Sequence, residues 1–139
     1  MKGKQILIAG ILAGVVIEVI ALIFSEFTQW IWEYDMLELG GMRAADDPLM
    51  VLFFIHPWVL GFALAFVYHY FNRTLAESTE GQGGIFGLLM WLVIGVPTTV
   101  IVSSTMDYPV GFMVNELIGP LIYLVLAGIV IAKTFESLK

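Results

Sequence analysis

Six residues with ionisable or polar side chains occur inside long apolar stretches of this sequence. Two of them are glutamates and one is a histidine, which can hold protons, bind a cation or pair with one another. The other three carry hydroxyl or amide groups that can complete a hydrogen-bonding layer. The candidate residues for a cavity that binds protons or a ligand are therefore Glu18, His56, Thr98, Thr99, Asn115 and Glu116.

The ionisable members of this set offer a second kind of chemistry. If a metal ion is bound, its ligands are expected to be Glu18, His56 and Glu116, because two carboxylates and an imidazole suit Mn, Fe or Zn. The chain has no cysteine, which excludes thiolate ligands and cysteine nucleophiles. No ligand spacing on a single helix points to one metal, and the sequence indicates no particular cofactor.

The elements that must position these residues are four apolar segments. The chain has 139 residues, of which 60% are hydrophobic and 13% charged, whereas soluble domains carry about 25% charged residues. A helix needs roughly 20 apolar residues to cross a bilayer, and segments of about that length cover residues 6–26, 49–70, 85–106 and 110–132. Because helices satisfy their own backbone in lipid, the sequence predicts an all-α, up-down, four-helix transmembrane bundle, with residues 1–139 as one integral membrane domain.

The basic residues predict the orientation of this bundle. On one side lie Lys2, Lys4, Arg73, Lys133 and Lys139, and on the other side Arg43 alone. The positive-inside rule then places both termini in the cytoplasm. The formal net charge of −6 argues against a nucleic-acid partner, so the expected partner is the lipid bilayer.

The polar candidates concentrate in the half of the bilayer away from the termini. With a rise of about 1.5 Å per residue, His56 and Thr98 lie roughly 12 Å below the outer ends of their spans. Asn115 and Glu116 lie roughly 10–12 Å deep in the last span, and Glu18 lies near mid-membrane. The inner half has almost no such residues, so the pattern predicts a cavity that opens to the outer side.

Glycines and prolines predict how the spans pack and bend. The GxxxG spacing of Gly10 and Gly14 suits either a homodimer contact or close packing inside the bundle, and we expect the second use. Pro57, Pro97 and Pro120 each remove a backbone donor. The carbonyls left free are expected to bind a ligand or to be satisfied by Thr98, Thr99 or water.

The connections between spans are mostly short. In the long outer one, Gly40-Gly41 predicts a turn, Pro48 predicts a helix start, and a short surface helix is expected around residues 34–39. The inner stretch 72–84, NRTLAESTEGQGG, is expected to be an exposed connection.

The second and third spans resemble a group of small bacterial four-helix membrane proteins, the YagU-like group and its relatives. The strings that carry the resemblance are IHPWVLGFALAFVYHYF and GGIFGLLMWLVIGVP. The matching positions are His56, Gly61, Tyr68, Gly84, Gly87 and Trp91. Members often have a further histidine in the last span, where this chain has Asn115-Glu116. The resemblance implies a multi-pass protein of a prokaryotic plasma or inner membrane and implies no activity.

Three functions are compatible with these observations. The first is transport linked to protons, cations or a small molecule through the polar cavity, in a homo-oligomer or larger membrane complex. The second is a non-catalytic accessory subunit or assembly factor that docks a partner on Asp46-Asp47. The third is a membrane-embedded enzyme acting on a lipid or quinone, with His56 and Glu116 as acid and base. We favour a non-enzymatic role, because no nucleophile or acid–base constellation is evident.

Overall fold

The computed structural model describes residues 2–71 and 76–139, and within these residues the secondary structure is helical. The long helices are α1 (Lys2–Trp32), α2 (Val51–Tyr70), α3 (Thr79–Thr105) and α4 (Val110–Ser137). All four are long and apolar enough to cross a membrane, which confirms the predicted all-α fold with four spans. Arg73, which contributes to the charge argument, lies outside the described residues, and the orientation of the termini stays a prediction.

The helices extend beyond the apolar segments in several places. Helix α1 reaches Trp32 and α4 reaches Ser137. Helix α3 begins at Thr79, because the Ser78 hydroxyl caps it by accepting a hydrogen bond from the Gly81 amide at 3.0 Å. Residues 79–84, which were expected to belong to an exposed connection, are therefore helical.

The four helices pack in the order α2, α1, α4, α3, with each one mainly against its neighbours in this row. Glycines bring the backbones together. A Cβ added to Gly61 of α2 would lie 2.5 Å from the Gly10 carbonyl oxygen and 2.7 Å from the Gly14 nitrogen. The same holds between α3 and α4, where a Cβ on Gly83 would lie 2.5 Å from the Gly128 oxygen. The GxxxG motif of α1 thus packs α2 within the chain, as expected.

The bundle is tightly packed at only one end. At the end near both termini, which we call the packed end, the Tyr68 ring meets Phe86 edge-on at 5.1 Å and Phe135 at 5.4 Å. All three side chains are fully buried. Towards the other end, called the open end, residues 51–56 of α2 are all exposed. Helices α2 and α4 therefore meet at the packed end and separate towards the open end.

The long connection folds back over the open end. Glu33 has a positive φ of 49° and ends α1. The Tyr34 hydroxyl lies 3.1 Å from the buried Thr28 hydroxyl, and the Met36 amide donates to the Gln29 side chain at 2.8 Å. Where a short surface helix was expected, residues Met36–Glu38 form one 3₁₀ turn. These bonds fix Met36 over the end of α1.

The second half of this connection prepares α2. Residues 40 and 41 form a turn with φ of 84° at Gly41, and the Tyr108 hydroxyl donates to the Gly40 carbonyl at 2.9 Å. Asp47 then caps a 3₁₀ turn, Pro48–Met50, that leads directly into α2. The predicted turn and helix start are both confirmed.

Candidate functional site

A cavity of about 200 Å³ lies between α1, α2 and α4 towards the open end. Its lining includes Glu18 from α1, His56 from α2, and Asn115 and Glu116 from α4. These four residues come from three helices that are far apart in the sequence. The structure thus gathers four of the six candidate residues around one space.

One face of α1 forms the back wall of this cavity. The lining residues Ile17, Glu18, Ala21, Leu22 and Ser25 follow the three- and four-residue spacing of a single helical face. Glu18 is half-buried, and its side chain lies beside the small Ala21. The spacing therefore turns the only carboxylate in the middle of α1 towards the other helices and away from lipid.

Pro120 shapes the α4 wall next to Glu116. Proline has no amide hydrogen, so the Glu116 carbonyl four residues earlier loses its helical partner. The Thr99 hydroxyl lies 3.1 Å from this carbonyl, and the Trp91 indole donates to the next one, Leu117, at 2.8 Å. Helix α3 therefore braces α4 at the turn that carries Asn115 and Glu116.

The two threonine candidates lie outside the cavity. Thr99 contacts the Gly95 carbonyl at 2.9 Å as well as the Glu116 carbonyl, so it acts on the backbone behind the site. Thr98 is exposed and donates to the Ile94 carbonyl of its own helix at 2.6 Å. No described residue of α3 lines the cavity.

His56 occupies the α2 wall, which is the most open one. Its side chain is exposed although it lines the cavity. Pro57 follows it and denies the Phe53 carbonyl its helical donor, and both of these residues also line the cavity. Within residues 2–71 and 76–139 the ion pairs are Arg43–Asp47 and Lys133–Glu80. A proton shared between His56 and a glutamate is therefore not part of this conformation.

The conditional metal set is not assembled. In the described part of the chain, no three His, Asp or Glu side chains come close enough to hold a metal ion. Glu18, His56 and Glu116 share the cavity but lie too far apart for joint coordination.

Two lining residues were not predicted from the sequence. Tyr123 lies seven residues after Glu116, which is two helical turns, so the spacing contained a signal for the same face. Met36 reaches the cavity through the hydrogen bonds that fold the connection back over α1, and no sequence pattern indicates them. Burial raises the pKa of the Tyr34 phenol beside it, the Thr28 hydrogen bond lowers it, and the nearby Glu116 charge raises it further.

The cavity has an anionic character. No lysine or arginine of the described residues lines it, whereas two carboxylates do. The Asn115 amide is the neighbour that interacts with the Glu116 carboxylate. The titratable groups around the space are Glu18, His56, Glu116 and Tyr123.

No protein-family model, curated protein or solved structure matches this chain. The resemblance to the YagU-like group consequently stays a prediction. The fold and the site define a class: a small polytopic membrane protein with a polar cavity between three of its helices.

Proposed function

We propose that the protein carries out proton- or cation-linked transport and that the cavity between α1, α2 and α4 is its binding site. The observation that supports this most directly is the presence of Glu18 and Glu116 in one cavity without a lysine or arginine beside them. Two acidic groups in such a place attract a positively charged species.

The energetics of the bilayer strengthen this argument. A carboxylate at the centre of a spanning helix costs about 2.5–3.5 kcal/mol on the insertion scale. That cost falls when the group takes up a proton, contacts a cation or is hydrated. Since a transporter must alternate between such states, Glu18 and Glu116 are suited to exchange a proton for a cation.

The shape of the bundle supports one access route in this conformation. Aromatic side chains from three helices close the packed end, as the contacts of Tyr68 with Phe86 and Phe135 show. The cavity itself lies towards the open end. Transport then requires a second conformation in which the packed end loosens, or a path completed by a homo-oligomer or larger complex. We place the protein in a prokaryotic plasma membrane with cytoplasmic termini, so that the cavity faces outwards.

Proton flux into proteoliposomes tests the proposal. The purified protein is reconstituted with a pH-sensitive dye inside, and a pH gradient is imposed in sodium or potassium buffer. We expect protein-dependent flux that falls at least tenfold in Glu18→Gln and in Glu116→Gln. Glu26→Gln is the matched control, because Glu26 lies on α1 but is exposed outside the cavity. Undiminished flux in Glu18→Gln, with the variant folded as judged by thermal unfolding, contradicts the proposal.

A further inference from the structure

We infer that the ligand of this cavity is a small organic cation, with an ammonium group attached to an apolar body about the size of a benzene ring. This inference rests on the proposed transport function and narrows it to a class of substrate. Three features of the cavity carry the argument: its charge, its volume and the chemistry of its walls.

The charge of the lining selects a cation. Glu18 on α1 and Glu116 on α4 face the same space from two sides, and no described lysine or arginine competes for them. An ammonium group can donate hydrogen bonds to several acceptors at once. The cavity offers such acceptors in both carboxylates, in the Asn115 amide oxygen and in the Ser25 hydroxyl.

The volume selects an organic body over a bare ion. The cavity measures about 200 Å³, and an engineered protein cavity of roughly 150 Å³ is known to hold benzene. A dehydrated metal ion fills only a small part of this space. The described residues also provide no group of three His, Asp or Glu side chains that could bind one.

The walls match a ligand with an apolar part. Most of the lining is hydrocarbon, with Ile17, Leu22, Phe53, Pro57 and Pro120 contributing large apolar surfaces. Such walls gain from contact with an apolar group and cannot replace the water shell of a hydrated inorganic ion.

Aromatic rings of the lining add attraction for the charged part. The rings of Phe53 and Tyr123 face the cavity from α2 and α4. Aromatic faces bind ammonium groups through cation–π interactions, most strongly when both are removed from water. Carboxylates and rings together therefore favour an ammonium ion over a neutral molecule of the same shape.

Calorimetry on the intact protein in lipid nanodiscs tests the inference. The probes are benzylammonium, its neutral counterpart benzyl alcohol, methylammonium, sodium and Mn²⁺. We expect saturable binding of benzylammonium, and binding of benzyl alcohol at least tenfold weaker. Glu18→Gln and Glu116→Gln should each weaken benzylammonium binding at least tenfold, whereas Glu26→Gln should not change it. Thermal unfolding establishes that each variant is folded.

A size variant and pH give two further readouts. Ala21→Leu narrows the cavity without changing its charge, so it should weaken benzylammonium more than methylammonium. Lowering the pH should weaken binding, because protons compete for Glu18 and Glu116 while His56 gains positive charge and Tyr123 stays neutral. Stronger binding at low pH would contradict the charge argument.

The outcomes separate this inference from the proposed function. Equal affinity for benzylammonium and benzyl alcohol overturns the organic-cation assignment. Glutamate-dependent binding of sodium or Mn²⁺, without benzylammonium binding, also overturns it but leaves cation-linked transport supported. Loss of glutamate-dependent proton flux in proteoliposomes, with benzylammonium binding retained, would remove the transport function and keep the binding site.

Discussion

Replacing Gly61 with alanine should destabilise the bundle by opening the contact between α1 and α2. The new Cβ would lie 2.5 Å from the Gly10 carbonyl oxygen, about 0.9 Å short of the 3.4 Å at which ordinary contact begins. The neighbouring atoms are backbone, with the Gly14 nitrogen at 2.7 Å, so no side chain can rotate away. Overpacking of this kind costs about 1–3 kcal/mol, which exceeds the gain of up to about 1 kcal/mol from replacing glycine by alanine in a helix.

Gly84→Ala is the matched control for this prediction. Gly84 also lies within a helix, but an added Cβ there meets nothing within 4 Å, so only the helix-propensity gain of up to about 1 kcal/mol remains. Unfolding by denaturant in detergent can be followed by the fluorescence of Trp58, which packs against Gly14. We expect Gly61→Ala to unfold earlier than the wild type, and Gly84→Ala to unfold at the same point or later. Equal shifts in the two variants would refute the close approach of α1 and α2.

Two other perturbations probe the brace behind the site and the cap of α2. Thr99→Val should lower the free energy of unfolding by about 1 kcal/mol through the lost bond to an α4 carbonyl, whereas exposed Thr98→Val should change it little; equal effects on thermal unfolding would contradict the bracing role. The Leu49 amide, and after it Arg43, hold the pKa of the Asp47 carboxyl below its ordinary 3.8. The stability from this cap is thus present above pH 3.8 and lost as the pH falls through the lowered pKa, and an NMR titration of Asp47 with a midpoint at or above 3.8 would contradict it.

Depth along a helix could be predicted from the sequence, and direction around it could be predicted only in part. A constant rise per residue placed His56, Asn115 and Glu116 at one level, and the structure gathers them with Glu18 around one cavity. The same arithmetic gave Thr98 the correct depth but no information on its direction.

A π-helical turn explains why Thr98 faces away from the cavity. Residues Trp91–Gly95 form this turn directly before it. One extra residue per turn rotates everything that follows by about 100°. Nothing in a hydropathy pattern reports such a turn, so a sequence-based assignment of faces after residue 95 is unreliable in physical terms.

The number of spans and the order in which they pack depend on different information. Apolar length alone is enough to predict four membrane-crossing helices. The spacing of Gly10 and Gly14 indicates that a close neighbour exists, but not that this neighbour is Gly61 of α2. Partner choice follows from the fit of two surfaces at once, and one helix sequence contains only half of that information.

The two prolines that line the cavity act on helices with different support. Pro120 breaks α4 next to Glu116, and hydrogen bonds from Trp91 and Thr99 of α3 replace what it removes. Pro57 breaks α2 beside His56, but α2 stands at the edge of the row, and its residues 51–56 are exposed on all sides. Helices α1 and α4 therefore form the fixed walls that hold the carboxylates. The open-end half of α2 is the wall expected to move, so a ligand would gain its charge contacts from the fixed walls and its entry from the movement of α2.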